Sequence, residues 1–191
     1  MKIVLLGDSQ RQTYCGYGKY VEEVLKKEGH EVWQPDDNSR FAKYLLRQIF
    51  DFNKEMQGAD IIHFNAGHWD IGVFYSDKEP FTSIEEYKND LRRIVQELKL
   101  ITPHLIFCTT TPVKVGHTTE TNDLIEKFNS AAIDLMKELN VTVNDIYPVL
   151  LPVMDECILA KPDFIHPTEK GKIVQGKQVL KVIHEEMKKI K

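Results

Sequence analysis

Gly7-Asp8-Ser9 follows directly on the apolar run Lys2–Leu6. A serine at a sharp turn leaving a strand presents its hydroxyl above the edge of a sheet, and a preceding glycine accepts the tight backbone. A serine hydroxyl is a poor nucleophile at neutral pH unless a base stands beside it. The far end of the chain offers one, because Asp163-Phe164-Ile165-His166 lies between Pro162 and Pro167. His166 can take a proton from a hydroxyl. Asp163 can orient the imidazole and stabilise the imidazolium. Each residue also has a plainer reading. Ser9 or Asp8 could simply cap the first helix, His166 could be a loop histidine before a helix, and Asp163 a turn-former after Pro162.

The elements that must position these residues follow from the hydrophobic pattern. Lys2–Leu6, Asp60–Phe64, Leu105–Thr109 and Val141–Asn144 are strand-length and rich in β-branched residues, and Glu31–Trp33 is a shorter candidate. Their near-continuous apolar character predicts strands covered on both faces, as in a parallel sheet. Between them, Ile84, Tyr87, Leu91, Ile94, Val95 and Leu98 repeat at helical spacing, and Ser83 with Glu86 has the spacing of a capping box. Leu124–Leu139 and Ile173–Met187 repeat the helical pattern; Tyr20–Leu25 and Phe41–Phe50 mark two earlier helices. Alternation of this kind predicts a doubly wound α/β sandwich of about five parallel strands, in one domain spanning residues 1–191. The non-periodic stretches 66–82 and 110–120 each follow a strand. Both therefore belong at the carboxyl edge of the sheet, where such folds bind ligands.

With both ends considered together, Gly-Asp-Ser after the first strand and Asp-x-x-His-Pro before the last helix resemble the SGNH hydrolases, also called GDSL esterases and lipases. The resemblance spans essentially the whole chain. It implies a flavodoxin-like three-layer α/β/α sandwich and hydrolysis of small acyl esters, carbohydrate O-acetyl esters among them, with no cofactor and no metal. It makes Ser9 the nucleophile, His166 the base and Asp163 its orienting acid. Two blocks depart from the family pattern. Where Gly-x-Asn-Asp is expected the chain reads Gly67-His68-Trp69-Asp70, so Asn65 is expected to donate its amide to the oxyanion, with His68-Trp69 as the alternative. The glycine block after the second strand is replaced by Pro35-Asp36-Asp37-Asn38-Ser39-Arg40-Phe41, so a backbone N–H at Ser39 or Arg40 is expected to serve. Trp69, Phe74, Tyr75 and Phe81 would stack on a sugar ring, line an acyl pocket or cover the end of the core.

Charge and composition exclude other classes. With 25 basic against 29 acidic residues the net charge is −4, which argues against nucleic acid or an anionic membrane as partner. A small-molecule ester is the expected partner, and nothing in the sequence sets an oligomeric state. A nucleotide binder would want several glycines and a Lys-Ser/Thr pair where Gly7-Asp8-Ser9-Gln10-Arg11 places an acid. Ile3–Leu6 is shorter than the roughly 7–15 apolar residues of a signal peptide. Cys15, Cys108 and Cys157 are too scattered for a disulfide framework. A cytoplasmic location is expected on those two grounds. His63 reads as a buried, hydrogen-bonded strand residue, and His117 as a solvent-facing one. His30, His104 and His184 lack metal-ligand spacing. The rival reading from another class is a glycan-binding module of the same fold that has lost catalysis and keeps Trp69 as its platform.

Overall fold

Alternate residues of the first strand face opposite cores. Ile3 and Leu5 enter one apolar cluster and Val4 and Leu6 the other, all essentially inaccessible to water. This two-sided burial is what a near-continuous apolar run predicts. The computed structural model describes residues 1–190. Its elements, in chain order, are β1 (Lys2–Leu6), α1 (Gly18–Lys27), β2 (Glu31–Trp33), α2 (Ala42–Asp51), α3 (Asn53–Met56), β3 (Ile61–Asn65), α4 (His68–Ile71) and α5 (Ile84–Lys99). There follow β4 (Leu105–Cys108), α6 (Asn122–Glu138), β5 (Thr142–Asn144), α7 (Tyr147–Leu150), a 3-10 turn at Leu151–Val153, α8 (Met154–Cys157) and α9 (Glu169–Met187). Every strand pairing is parallel, in the order β2-β1-β3-β4-β5.

Helices α2, α5 and α6 cover one face of the sheet through Leu45, Leu91, Ile94, Phe128 and Leu135. On the other face, α1 and α9 pack through Val21, Leu25, Val179 and Ile183. The result is the three-layer α/β/α sandwich. Helix α5 begins where its capping box requires, with Ser83 Oγ accepting the Glu86 N–H and the Glu86 carboxylate accepting the Ser83 N–H at 3.1 Å. Among the described residues no helix is long and apolar enough to cross a membrane.

The strand bounds differ from the sequence pattern by single residues. β3 runs Ile61–Asn65 rather than from Asp60, because the Asp60 carboxylate is taken by the Lys2 N–H at 2.7 Å. β4 stops at Cys108, and β5 begins at Thr142. The order of the strands reverses at β1, whose neighbours are β2 and β3. Leu6 pairs with Phe64, so β1 and β3 end level, and the residues that follow them face one another across the switch point. That crevice is where a doubly wound sheet holds its ligand.

Candidate active site

Ser9 lies in the turn that leaves β1. The Asp8 carbonyl accepts the N–H groups of Arg11 and Gln12, at 3.1 and 3.3 Å, and its carboxylate accepts the Gln10 N–H at 2.9 Å. Helix α1 starts only at Gly18, after an N-cap residue, Tyr17, that makes no side-chain cap bond. Neither Asp8 nor Ser9 caps α1. The Ser9 N–H makes no hydrogen bond within the described protein.

His166 reaches Ser9 from the loop before α9. Its Nε2 is 3.0 Å from Ser9 Oγ and its Nδ1 is 2.7 Å from Asp163 Oδ2. A carboxylate can only accept, so Nδ1 carries the proton and Nε2 accepts the serine O–H. The other Asp163 oxygen accepts the N–H groups of Ile165 and His166 at 2.9 and 2.6 Å. Burial works against the Asp163 carboxylate. Those two N–H groups and the His166 ring outweigh it and hold its pKa below the ordinary Asp value. The loop is anchored at both sides: Thr168 Oγ1 caps α9 at the Gly171 N–H, and Gln10 Nε2 donates to the Ile165 carbonyl.

Ser9 and His166 open onto a pocket of about 450 Å³ whose walls include Asn38, His68, Trp69, Phe74 and Ile165. Trp69, on α4, is 43% exposed, so its ring is available at the wall of the pocket. Asn65, the last residue of β3, is buried, and its Oδ1 lies against Gly7. Among the described residues its Oδ1 is buried without a hydrogen-bond partner and its Nδ2 donates to no acceptor. Asn65 is thus brought to the turn that carries Ser9, although it does not itself line the pocket.

The loop between β2 and α2 corrects the expectation for its backbone. The Ser39 N–H donates to the Gly7 carbonyl at 3.1 Å and the Arg40 N–H to Asn38 Oδ1 at 2.8 Å. Both are already used. The Arg40 side chain is exposed, its guanidinium 5.0 Å from the Tyr44 ring centroid. Arg11, unforeseen from sequence, holds this loop. It is buried without a carboxylate partner and donates to the carbonyls of Pro35 (2.6 Å), Asp37 (2.7 Å) and Gly7 (3.1 Å).

A second polar assembly, also unforeseen, stands in the pocket wall. His68 Nδ1 lies 2.7 Å from Glu120 and its Nε2 2.9 Å from Thr111 Oγ1. Burial disfavours the imidazolium, but Glu120 overrides it and raises the His68 pKa. No short-range spacing announces a pair 52 residues apart. Two residues on, Asp70 is buried and accepts the Ala42 N–H at 2.9 Å, and desolvation pushes its pKa up to about 7. His117 is half-buried on the pocket wall rather than solvent-facing, with Nδ1 accepting the Glu120 N–H. His63 is buried as expected, bonded to Asn144 Nδ2, its pKa driven down to about 3 by burial.

The GDSL-like Lipase/Acylhydrolase family profile matches residues 3–179. By sequence, the GDSL esterase/lipase CPRD49 of Arabidopsis thaliana is 23% identical, over 96% of this chain and 79% of its own length. The GDSL esterase/lipase WDL1 of Oryza sativa subsp. japonica is 22% identical, over 88% and 68%. By structure, the lipase/acylhydrolase from Enterococcus faecalis aligns with a TM-score of 0.76 at 19% identity, covering 95% of this chain and 94% of that one. The acetyl xylan esterase AlAXEase gives 0.77 at 17% identity, covering 96% and 100%. At such identities the structural likeness establishes the fold, and the profile establishes the lineage. The chain belongs to the GDSL-like lipase/acylhydrolase family and is a carboxylic ester hydrolase.

Proposed function

We propose that the enzyme removes small acyl groups, O-acetyl groups on carbohydrate alcohols foremost, through a Ser9-His166-Asp163 triad and an acyl-enzyme. The observation that carries the triad is the hydrogen-bonded chain from Ser9 Oγ through His166 to Asp163, at 3.0 and 2.7 Å. In the first step Ser9 Oγ bonds to the ester carbonyl carbon as its proton passes to His166 Nε2. The carbonyl π electrons move onto oxygen, and the Ser9 N–H and the Asn65 amide stabilise that oxyanion. The C–O bond to the alcohol then breaks, and the leaving alkoxide takes the proton from His166. Water, deprotonated by the same histidine, attacks the acyl-enzyme; collapse releases the carboxylic acid and restores Ser9.

Two features support a small acyl group on a sugar. The pocket is compact, and Trp69 offers an exposed aromatic face at its wall, a surface suited to a pyranose ring. AlAXEase and Axe2 of Geobacillus stearothermophilus, proteins of the same fold, are acetyl xylan esterases. The assembled histidine and carboxylate, together with the family's activity, weigh against a binding module without catalysis.

The test is hydrolysis of p-nitrophenyl acetate, of longer p-nitrophenyl esters and of acetylated xylooligosaccharides by wild type, Ser9→Ala and Trp69→Ala. Turnover that falls with acyl length and vanishes in Ser9→Ala is expected. Trp69→Ala should raise KM for the acetylated sugar and leave p-nitrophenyl acetate little changed. Equal use of long and short acyl chains would overturn the substrate assignment, and an active Ser9→Ala would overturn the nucleophile.

A further inference from the structure

The β2–α2 loop has no glycine to turn a bare N–H toward the oxyanion, and the two backbone donors expected of it are already taken. Ser39 N–H is held by the Gly7 carbonyl and Arg40 N–H by Asn38 Oδ1. The Asn38 N–H faces the Asp37 carboxylate, whose pKa it helps to lower. The Asn38 side chain offers a further donor. Asn38 lines the pocket that holds Ser9 and His166. An amide has one accepting and one donating end. Because the Arg40 N–H occupies Oδ1 at 2.8 Å, the other end must be Nδ2, which donates to no described residue. Resting on the reading of Ser9 as nucleophile, we propose that the Asn38 side-chain amide is a catalytic donor, completing the oxyanion hole in place of the missing backbone N–H.

The loop is built to hold such a donor still, and a preorganised dipole is what gives an oxyanion hole its effect. Arg40 takes a left-handed backbone conformation, φ 50°, which folds its N–H back onto Asn38. Upstream, Arg11 fixes the carbonyls of Pro35 and Asp37. Alongside, the Asp37 carboxylate accepts the Tyr44 hydroxyl at 2.7 Å and Gln48 Nε2 at 2.9 Å. Downstream, Ser39 Oγ donates to Gln48 Oε1 at 2.6 Å. No new covalent step is involved. Asn38 Nδ2–H donates to the oxygen that becomes negative when Ser9 Oγ adds to the carbonyl, and withdraws as the C=O reforms.

The experiment compares Asn38→Asp and Asn38→Ala with wild type, using p-nitrophenyl acetate turnover, affinity for an alkylboronic acid that forms a tetrahedral adduct on Ser9, and thermal melting. Asn38→Asp keeps the acceptor that Arg40 needs and loses the donor; Asn38→Ala loses both and adds no charge. Both should lose about 10²-fold or more in kcat with KM little changed, and boronate affinity should fall in parallel. Asn38→Asp should melt near wild type. Should Asn38→Asp keep the wild-type kcat, Asn38 is only a turn-former. If Asn38→Asp falls while Asn38→Ala does not, the loss is one of charge; either result overturns the proposal. Labelling by a fluorophosphonate separates this from the reading beneath it. A wild-type enzyme not labelled on Ser9 refutes the nucleophile, whereas a labelled wild type with fully active Asn38 variants refutes Asn38 alone.

Discussion

Gly7 and Asn65 are in direct contact across the switch point: a β-carbon at position 7 would sit 1.9 Å from Asn65 Oδ1 and 3.2 Å from the Arg11 Cβ. Gly7 also has a φ of 153°, which disfavours a side chain there. Gly7→Ala must therefore push the Asn65 amide aside and reshape the turn carrying Ser9. Melting should report a loss of about 1–3 kcal/mol. Ester turnover should fall further than a shift in folded fraction can explain, and a variant with unchanged kcat would show that Asn65 need not stay in place.

Asn65→Ala tests the amide without disturbing the turn. With no protein acceptor to lose, the substitution should cost little stability. The rate should drop roughly 10²–10³-fold in kcat. An unchanged rate would return attention to the His68-Trp69 segment.

Asp163→Asn tests the proposed orientation of His166 as base. An Asn amide facing His166 Nδ1 forces the proton onto Nε2, which can then no longer accept the Ser9 O–H. About 10³-fold or more should be lost from kcat, by analogy with the buried aspartate of other triads. Melting curves of the two proteins serve as the control, and a variant with near-normal kcat would remove Asp163 from the mechanism.

Asp70 should make the fold less stable as pH rises. Its folded pKa, about 7, stands above the unfolded value of about 3.9. Folding therefore favours the neutral carboxyl. That contribution is full below about pH 4 and is lost as pH climbs through about 7. Asp70→Asn, which keeps an acceptor for the Ala42 N–H, should gain on wild type over that window by up to about 4 kcal/mol. Denaturant titrations at several pH values check this, and a pH-independent difference would contradict it.

His68 gives the same sign at higher pH. A raised folded pKa means that the stability from its pairing with Glu120 is complete below the unfolded value of about 6.5 and fades above the folded one. Glu120→Gln should therefore cost most in acid, about 3 kcal/mol for a broken buried pair, and least in alkali. A cost that grows with pH would reverse the assignment of charge.

The fold was legible where the signal is local. Ser83 and Glu86 announced the start of α5 because a capping box is complete within four residues, and two-sided burial announced the strands. The elements between Tyr147 and Cys157 were not foreseen, since α7, α8 and the turn between them are each too short to show a period. Ser9, His166 and Asp163 were legible because each lies in a distinctive short motif, and the structure brings all three into one hydrogen-bonded chain. Asn65 was found at the end of its strand, although its contact with Gly7 depends on a pairing 58 residues apart in sequence. Arg40 was misjudged because whether an N–H is free depends on the turn, and the Asn38 side chain that captures it closes that turn. Arg11 and the His68–Glu120 pair were invisible for a common reason: their partners are distant in sequence, and those of Arg11 are carbonyls, which every residue has.

That last property bears on how the pocket can diversify. Arg11 grips oxygen atoms of the main chain at Gly7, Pro35 and Asp37, so it reads the path of the loop and not its lettering. Residues that keep the same course can replace one another beneath it without loosening the grip, while a lysine at position 11, with a single ammonium in place of a planar fork, could not span the same three acceptors. The rim of the pocket is thus free to drift in sequence and so to meet different alcohols, held in shape by one side chain that is not.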